Sequence, residues 1–321
     1  MKNLRIVFMG TPEFAVATLG ALLMNSFNVV AVVTAPDKPA GRGRKITKSA
    51  VKRYSELNCL SVFQPQNLRD PEFIQHLTDL RADIFVVVAF RMLPEAVWKI
   101  PALGTINLHA SLLPHYRGAA PINHAIINGE TKTGITTFLI DDKIDTGNIL
   151  LREVVQVYPD ENAGELHDRL MKHGARLVIR TIEGLAAGDI KPMPQEILLA
   201  PGEKARIAPK ITPDFCNVDW NNEPVAISNF IRGLSPVPCA RGCFISGEES
   251  LSFKIFEGQP EKKAHDLNPG SIVSDGKTFI RIACRNGFIS ISSLQLEGKK
   301  RMETPEFLRG FNIERYAHIK V

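Results

Sequence analysis

The chain has 321 residues, 44% of them hydrophobic and 23% charged, with a formal net charge of +5. This length suits two domains, and the composition excludes a largely disordered or collagen-like chain. No apolar run reaches the ~18 residues that a membrane helix requires, and the five cysteines are scattered through a chain too large to need disulfide staples, so a cytoplasmic protein with reduced thiols is expected.

Residues 4–9 form a short apolar run that predicts a strand. Gly10-Thr11-Pro12 then turns the chain into a helical pattern at Phe14, Leu19, Leu22 and Leu23, with Pro12 near the helix start, where its missing N–H costs nothing. Runs at 29–34, 84–89, 105–108 and 135–140 predict further strands, and 71–80, 119–128 and 163–185 predict helices. Strands that are apolar on both faces and separated by helices indicate an α/β fold with a Rossmann-like, doubly wound, mostly parallel sheet. Its first turn lacks Gly-x-Gly-x-x-Gly, because Gly10 is followed by Thr11, Pro12 and Glu13, which argues against a nicotinamide oxidoreductase.

Residues 188–213 lose periodicity and carry Pro192, Pro194, Pro201, Pro209 and Pro213. The expected organisation is a catalytic domain at 1–189, a linker at 190–207 and a C-terminal domain at 208–321. After a helix at 224–232, short runs at 252–256, 271–273, 278–283 and 288–291 lie between turn signals at Gly258, Gly270, Asp275-Gly276 and Asn286-Gly287. That spacing suits a small antiparallel barrel or sandwich.

Asn107 and His109 are two apart at the end of a predicted strand, so both side chains leave one face. Ligands of open α/β sheets bind at the carboxyl ends of strands, and an amide beside an imidazole suits a developing oxyanion. The loop from Ser111 to Pro121 leaves the same strand. Asp145 follows the run 135–140, again at a strand's carboxyl end, where it is a candidate to orient His109 and receive a proton. Each feature also has an ordinary reading, as a polar pair closing a strand, a connection, or an Asp-Gly turn. Lys38, Arg42, Arg44, Lys45, Lys48, Lys52 and Arg53 occur without an intervening acid, and Lys299-Lys300-Arg301 forms a second basic cluster; both suit a phosphate backbone or a solvated surface. Cys239 and Cys243 have no partnering pair nearby and read as core cysteines rather than zinc ligands. P-loop, His-Glu-x-x-His and Gly-x-Ser-x-Gly motifs are absent.

Asn107-Leu108-His109, then Ser111-Leu112-Leu113-Pro114 with Arg117-Gly118-Ala119-Ala120-Pro121, then Ile144-Asp145-Thr146-Gly147, in this order and spacing, resemble the formyltetrahydrofolate-dependent formyltransferases. Within them, Phe8-Met9-Gly10-Thr11-Pro12-Glu13-Phe14 and the basic loop 36–45 are similar to members acting on initiator tRNA. The likeness is close over the first two thirds of the chain. Beyond that it rests on Val218-Asp219-Trp220, residues 231–236 and Gly298-Lys299-Lys300, and implies a small C-terminal OB-like β-barrel that binds tRNA.

The resemblance implies 10-formyltetrahydrofolate as formyl donor, the α-amine of initiator methionyl-tRNA as acceptor, no metal, no membrane partner and a monomer. It assigns catalysis to Asn107, His109 and Asp145, folate contacts to Phe90, Met92, Ser111, Leu112, Leu113, Pro114 and Asp141, and tRNA contacts to Arg42, Arg44, Lys45, Lys48, Lys299 and Lys300. Two places depart from the family pattern: Phe90-Arg91-Met92-Leu93-Pro94 stands where most members have a Tyr-Gly segment one residue longer, and Lys143 stands where glycine is usual. Alternatives are a folate enzyme of this fold that formylates a small amine or hydrolyses the donor, and a non-catalytic RNA-binding protein.

Overall fold

The structure, a computed structural model, describes residues 3–40, 45–316 and 318–320. The chain forms two units, one of Met1–Gly118, Lys132–Gln156 and His167–Ala208, the other of Ala119–Thr131, Val157–Leu166 and Pro209–Val321.

In chain order the first unit starts with β1 (Arg5–Gly10), α1 (Glu13–Met24), β2 (Asn28–Val33), a hairpin of β3 (Lys38–Ala40) and β4 (Lys45–Thr47), α2 (Ala50–Leu57) and β5 (Val62–Phe63). It continues through α3 (Pro71–Asp79), β6 (Ile84–Val88), α4 (Glu95–Trp98), β7 (Thr105–His109) and β8 (Arg117–Gly118). After α5 (Pro121–Ile127), which belongs to the second unit, come β9 (Lys132–Leu139), β10 (Ile149–Gln156), α6 (Ala163–Ala187, whose first turn up to Leu166 belongs to the second unit) and β11 (Ile207–Ala208). Seven strands form one sheet in the order β10-β9-β7-β6-β1-β2-β5. From β7 to β5 every pairing is parallel. Ile6 to Met9 and all of β6 are buried, as befits central strands covered on both faces. The strand order reverses between β1 and β6, which puts the topological switch point between those two strands, with β7 as the next strand beyond β6.

α6 lies close to the strand that carries Asn107 and His109. Leu166, Leu170, Leu177, Val178 and Ile182 recur at helical spacing and are fully buried. A Cβ at Gly174 would come within 2.7 Å of Leu108 Cδ2, so glycine permits this approach.

The run 135–140 is a strand, as its pattern predicts, but its carboxyl end does not lie at the ligand-binding edge, because β9 runs antiparallel to β7. Thr136 pairs with His109, whereas Leu139, at the carboxyl end of β9, pairs with Ile106. The loop that follows therefore starts away from His109 and has to return along the sheet to reach it.

The second unit contains α7 (Pro224–Leu234), β12 (Ala240–Ser246), β13 (Glu249–Lys262), β14 (Ile272–Ser274), β15 (Ile280–Cys284), β16 (Gly287–Leu296), β17 (Met302–Glu303), α8 (Thr304–Leu308) and β18 (His318–Ile319). Its sheet runs β14-β15-β16-β13-β12-β18. The two ends meet through the Ser271–His318 bridge and the Ile319 N–H donating to the Gly270 carbonyl at 2.8 Å, which makes an antiparallel barrel. β13 changes register around Glu257 and Gly258, a bend that lets one long strand pair with both β12 and β16. Trp220, Phe244, Ile255, Ile282 and Leu294 fill the interior, with Phe244 stacked on Phe253 at 4.1 Å. Each such side chain contributes ~1.5–3 kcal/mol through burial. Among the described residues no helix is long and apolar enough to cross a membrane.

Candidate active site

β7 brings Asn107 and His109 to one face of its end. Asn107 is half-buried and His109 buried. The His109 Nε2–H donates to the Tyr116 carbonyl at 2.8 Å, and its Nδ1 lies 3.6 Å from Asp145 Oδ2. That same carboxylate oxygen accepts the Gly118 N–H at 2.9 Å. Sequence reasoning places His109 and Asp145 together, and they are neighbours. Tyr116 (φ +62°) and Asp145 (φ +56°) both hold left-handed backbone without being glycine, a strained arrangement that persists only where surrounding contacts impose it.

The loop after β7 is held from within. Ser111 Oγ donates to the His115 carbonyl at 2.6 Å. Thr136 Oγ1 donates to the Ser111 carbonyl at 2.7 Å and accepts the Leu113 N–H at 3.2 Å, while Arg152 Nη1 donates to the Leu113 carbonyl at 2.8 Å. Leu113 is fully buried against Phe138 and Ile149, and Pro114 is buried too. Leu112 is the half-buried member of the four. Sequence reasoning misses Thr136 and Arg152, because a threonine and an arginine inside strands carry no motif.

After β6, Phe90 is half-buried and Met92 is 66% exposed. Arg91 donates from Nη1 to the Gln66 carbonyl at 3.0 Å and from Nη2 to the Pro65 carbonyl, and its guanidinium lies 5.6 Å from the Phe90 ring centre. These bonds tie down the segment that departs from the family pattern. Asp141 is committed to its own loop: it accepts the Lys143 N–H at 3.1 Å and the Thr146 hydroxyl at 2.7 Å. Lys143 and Ile144 are exposed.

Residues 188–208 belong to the first unit and pack onto these loops. β11 pairs with β8, and the Tyr116 N–H donates to the Arg206 carbonyl at 2.6 Å. Gln195, fully buried, bonds to Arg117 and to the carbonyls of Asp145 and Gly147. His115 lies 3.3 Å from Glu203, yet burial outweighs that carboxylate and pushes the imidazole below its ordinary range. At Gly118 (φ +125°) a Cβ would lie 2.4 Å from the Ala208 carbonyl oxygen. Gly118→Ala is therefore expected to destabilise the protein by ~1–3 kcal/mol and to weaken the Gly118–Asp145 bond; an unchanged melting temperature with full kcat would refute this.

Residues 4–182 match the formyl transferase family, and residues 210–312 match the formyl transferase C-terminal domain. The chain is 52% identical to methionyl-tRNA formyltransferase of Bacteroides fragilis, over 97% of this chain and 96% of that one. The chain belongs to the formyl transferase family. Its fold is shared with an N-formyltransferase from Helicobacter canadensis, solved in complex with folinic acid and dTDP-3-aminofucose (TM-score 0.65, 19% identity, 93% of this chain and 100% of that one). It is shared too with HypX from Aquifex aeolicus (TM-score 0.63, 16% identity), where 98% of this chain covers 49% of that one, so the chain spans about half the length of HypX.

In this formyl transferase the basic stretch is centred on the β3–β4 hairpin. Arg42 and Arg44 lie outside the described residues, and Lys45 opens β4. The hairpin has a closed neck: Thr34 Oγ1 and Ser49 Oγ are hydrogen-bonded at 2.8 Å. Lys52 Nζ meets Asp37 Oδ2 at 2.6 Å, and Gln64 donates to Asp37 and to the Ala35 carbonyl, both at 2.8 Å. The Lys52 hydrogen bond, helped by Gln64, holds the Asp37 carboxyl below its ordinary range. Lys48 pairs with Glu56 at 2.7 Å, and Lys300 with Glu306 at 2.7 Å; both lysines stay substantially exposed, as does Lys299.

Proposed function

We infer that this chain transfers the formyl group of 10-formyltetrahydrofolate to the α-amine of methionine on initiator Met-tRNA, an enzyme of translation initiation. The observation that carries this reading is the near-complete match, at 52% identity, to a methionyl-tRNA formyltransferase. The reaction needs no protein nucleophile: a free α-amine has a pKa near ~8 and is partly unprotonated at neutral pH. Its lone pair attacks the formyl carbon, the carbonyl electrons move to oxygen, and collapse of the tetrahedral intermediate breaks the bond to the folate nitrogen. The attacking nitrogen loses a proton, and the departing folate nitrogen gains one.

Asn107 and His109 stabilise the oxyanion, and Asp145 orients His109 and takes the amine proton, directly or through water. An oxyanion that recruits the His109 Nε2–H displaces the Tyr116 carbonyl from it, in keeping with catalytic hydrogen bonds that tighten only when substrate is bound. Phe90, Met92, Asp141 and residues 111–114 form the folate site. The basic hairpin with Lys48, and Lys299 and Lys300 on the C-terminal barrel, grip the tRNA. The enzyme works as a monomer in the cytoplasm, with the chemistry in a domain at 1–189, a linking stretch at 190–207 that packs on the loops of that domain, and the barrel at 208–321 as the tRNA-binding part.

A formylation assay offering Met-tRNA and small amines side by side tests the acceptor. Formyl-Met-tRNA should form with small amines untouched; efficient formylation of an amino sugar instead would overturn the reading. Thr136→Val keeps the shape of the side chain but removes the donor to Ser111 and the acceptor for Leu113. The KM for folate should rise about 3-fold to 10-fold, equivalent to the ~1 kcal/mol of a net hydrogen bond, with the KM for tRNA unchanged. The reverse pattern would move the folate elsewhere.

A further inference from the structure

Gln195 sits in the short turn Gln195–Leu198, within the proline-rich stretch that has no motif, and is fully buried. Its Oε1 accepts from Arg117 Nε at 3.1 Å and from Nη2 at 2.7 Å. Its Nε2 donates to the Asp145 carbonyl at 2.9 Å and to the Gly147 carbonyl at 2.8 Å. An amide side chain has two donor hydrogens and two acceptor lone pairs, so all of its capacity is used.

Those four bonds join the two loops that flank His109. Arg117 stands between Tyr116, whose carbonyl accepts from His109 Nε2, and Gly118, whose N–H donates to Asp145. The other loop carries Asp145, and it has a particular need of support. Because β9 runs against β7, the strand does not deliver Asp145 to His109, and Asp145 itself holds a left-handed backbone. A non-glycine residue in that conformation stays there only when external bonds outweigh the strain. Gln195 bonds to the backbone of Asp145 itself and of Gly147 two residues later. Gly147 is tightly packed as well, since a Cβ there would overlap the Leu139 carbonyl oxygen at 1.7 Å.

We propose that Gln195 is a positioning residue for formyl transfer: it sets the Asp145 carboxylate against His109 by clamping the 111–118 and 140–148 loops together. This rests on the role given above to Asp145, and the test separates the two. Gln195→Met keeps the length and removes every hydrogen bond. It should lower kcat about 10-fold to 100-fold, the scale of an ~1 Å misplacement at a reacting group, with the KM for Met-tRNA within about 2-fold of the parent. Placed in an Asp145→Asn background, the same substitution should cost less than about 2-fold, because the carboxylate it serves is gone.

A full additional loss in that background, or raised KM values with kcat unchanged, would make Gln195 a general packing residue and overturn the proposal. Full activity of Asp145→Asn alone would overturn the underlying role of Asp145 instead. Gln195→Glu guards against misfolding of the first variant. It keeps the Arg117 contact but turns a carboxylate oxygen toward the two carbonyls, so the same fall in kcat is expected, and parental kcat would count against the clamp.

Discussion

His109→Ala should lower kcat by ~100-fold to 1,000-fold, the usual cost of removing one donor from an oxyanion site. The side chain is buried, with one ring nitrogen on the Tyr116 carbonyl and the other facing Asp145. Deletion therefore removes the donor and also strands the carboxylate, whose remaining bonds, to the Gly118 N–H and through the loop to Gln195, keep it in place. The variant should fold, with a modest fall in melting temperature. Asn107→Ala removes the second proposed donor from a half-buried position and should reduce kcat on the same scale with smaller effects on KM. Near-normal kcat in both variants would show that the oxyanion is held by other groups.

The second large effect is expected at the basic hairpin. Replacing Arg42, Arg44 and Lys45 together by alanine should raise the KM for Met-tRNA. It should also flatten the slope of log affinity against log salt by ~0.7–0.9 for each phosphate that is no longer neutralised, about two units or more if all three cations engage. Folate binding should stay within error, since the residues proposed for it lie on other loops. The site chemistry is also untouched, so a saturating tRNA concentration should restore kcat. A triple variant with parental affinity and salt slope would reduce the stretch to a solvated surface and leave tRNA affinity to the C-terminal barrel.

The parallel half of the sheet is legible in the sequence because buried strands in α/β folds are continuous apolar runs, and β1, β2 and β6 hold such runs. Strand direction is not legible. Periodicity marks 135–140 as extended but carries no information about which way it pairs, and the helix before it, α5, is only seven residues long. β12 escapes notice because Gly242 breaks its pattern. That glycine is required where it is, since a Cβ there would come 2.6 Å from the Phe253 ring. Asn107 and His109 can be read from their spacing, and Asp145 from the motif that contains it. Gln195, Thr136 and Arg152 cannot, because each acts on backbone groups of a remote loop, and such a bond exists only once the chain has folded. The prolines of 188–213 likewise look like a flexible connection, yet β11 and Gln195 are paired and buried.

The closed neck beneath the basic hairpin has an evolutionary consequence. Thr34 and Ser49 fix the distance between the two points where the segment leaves and rejoins the sheet unit, and Ser49 also caps α2 by accepting the Lys52 N–H at 3.0 Å. These bonds hold the two ends of the hairpin whatever joins β3 to β4. With both ends held at this neck, a change in the chain between them need not reach the strands that carry Asn107 and His109, so a change of acceptor need not begin with a change of chemistry.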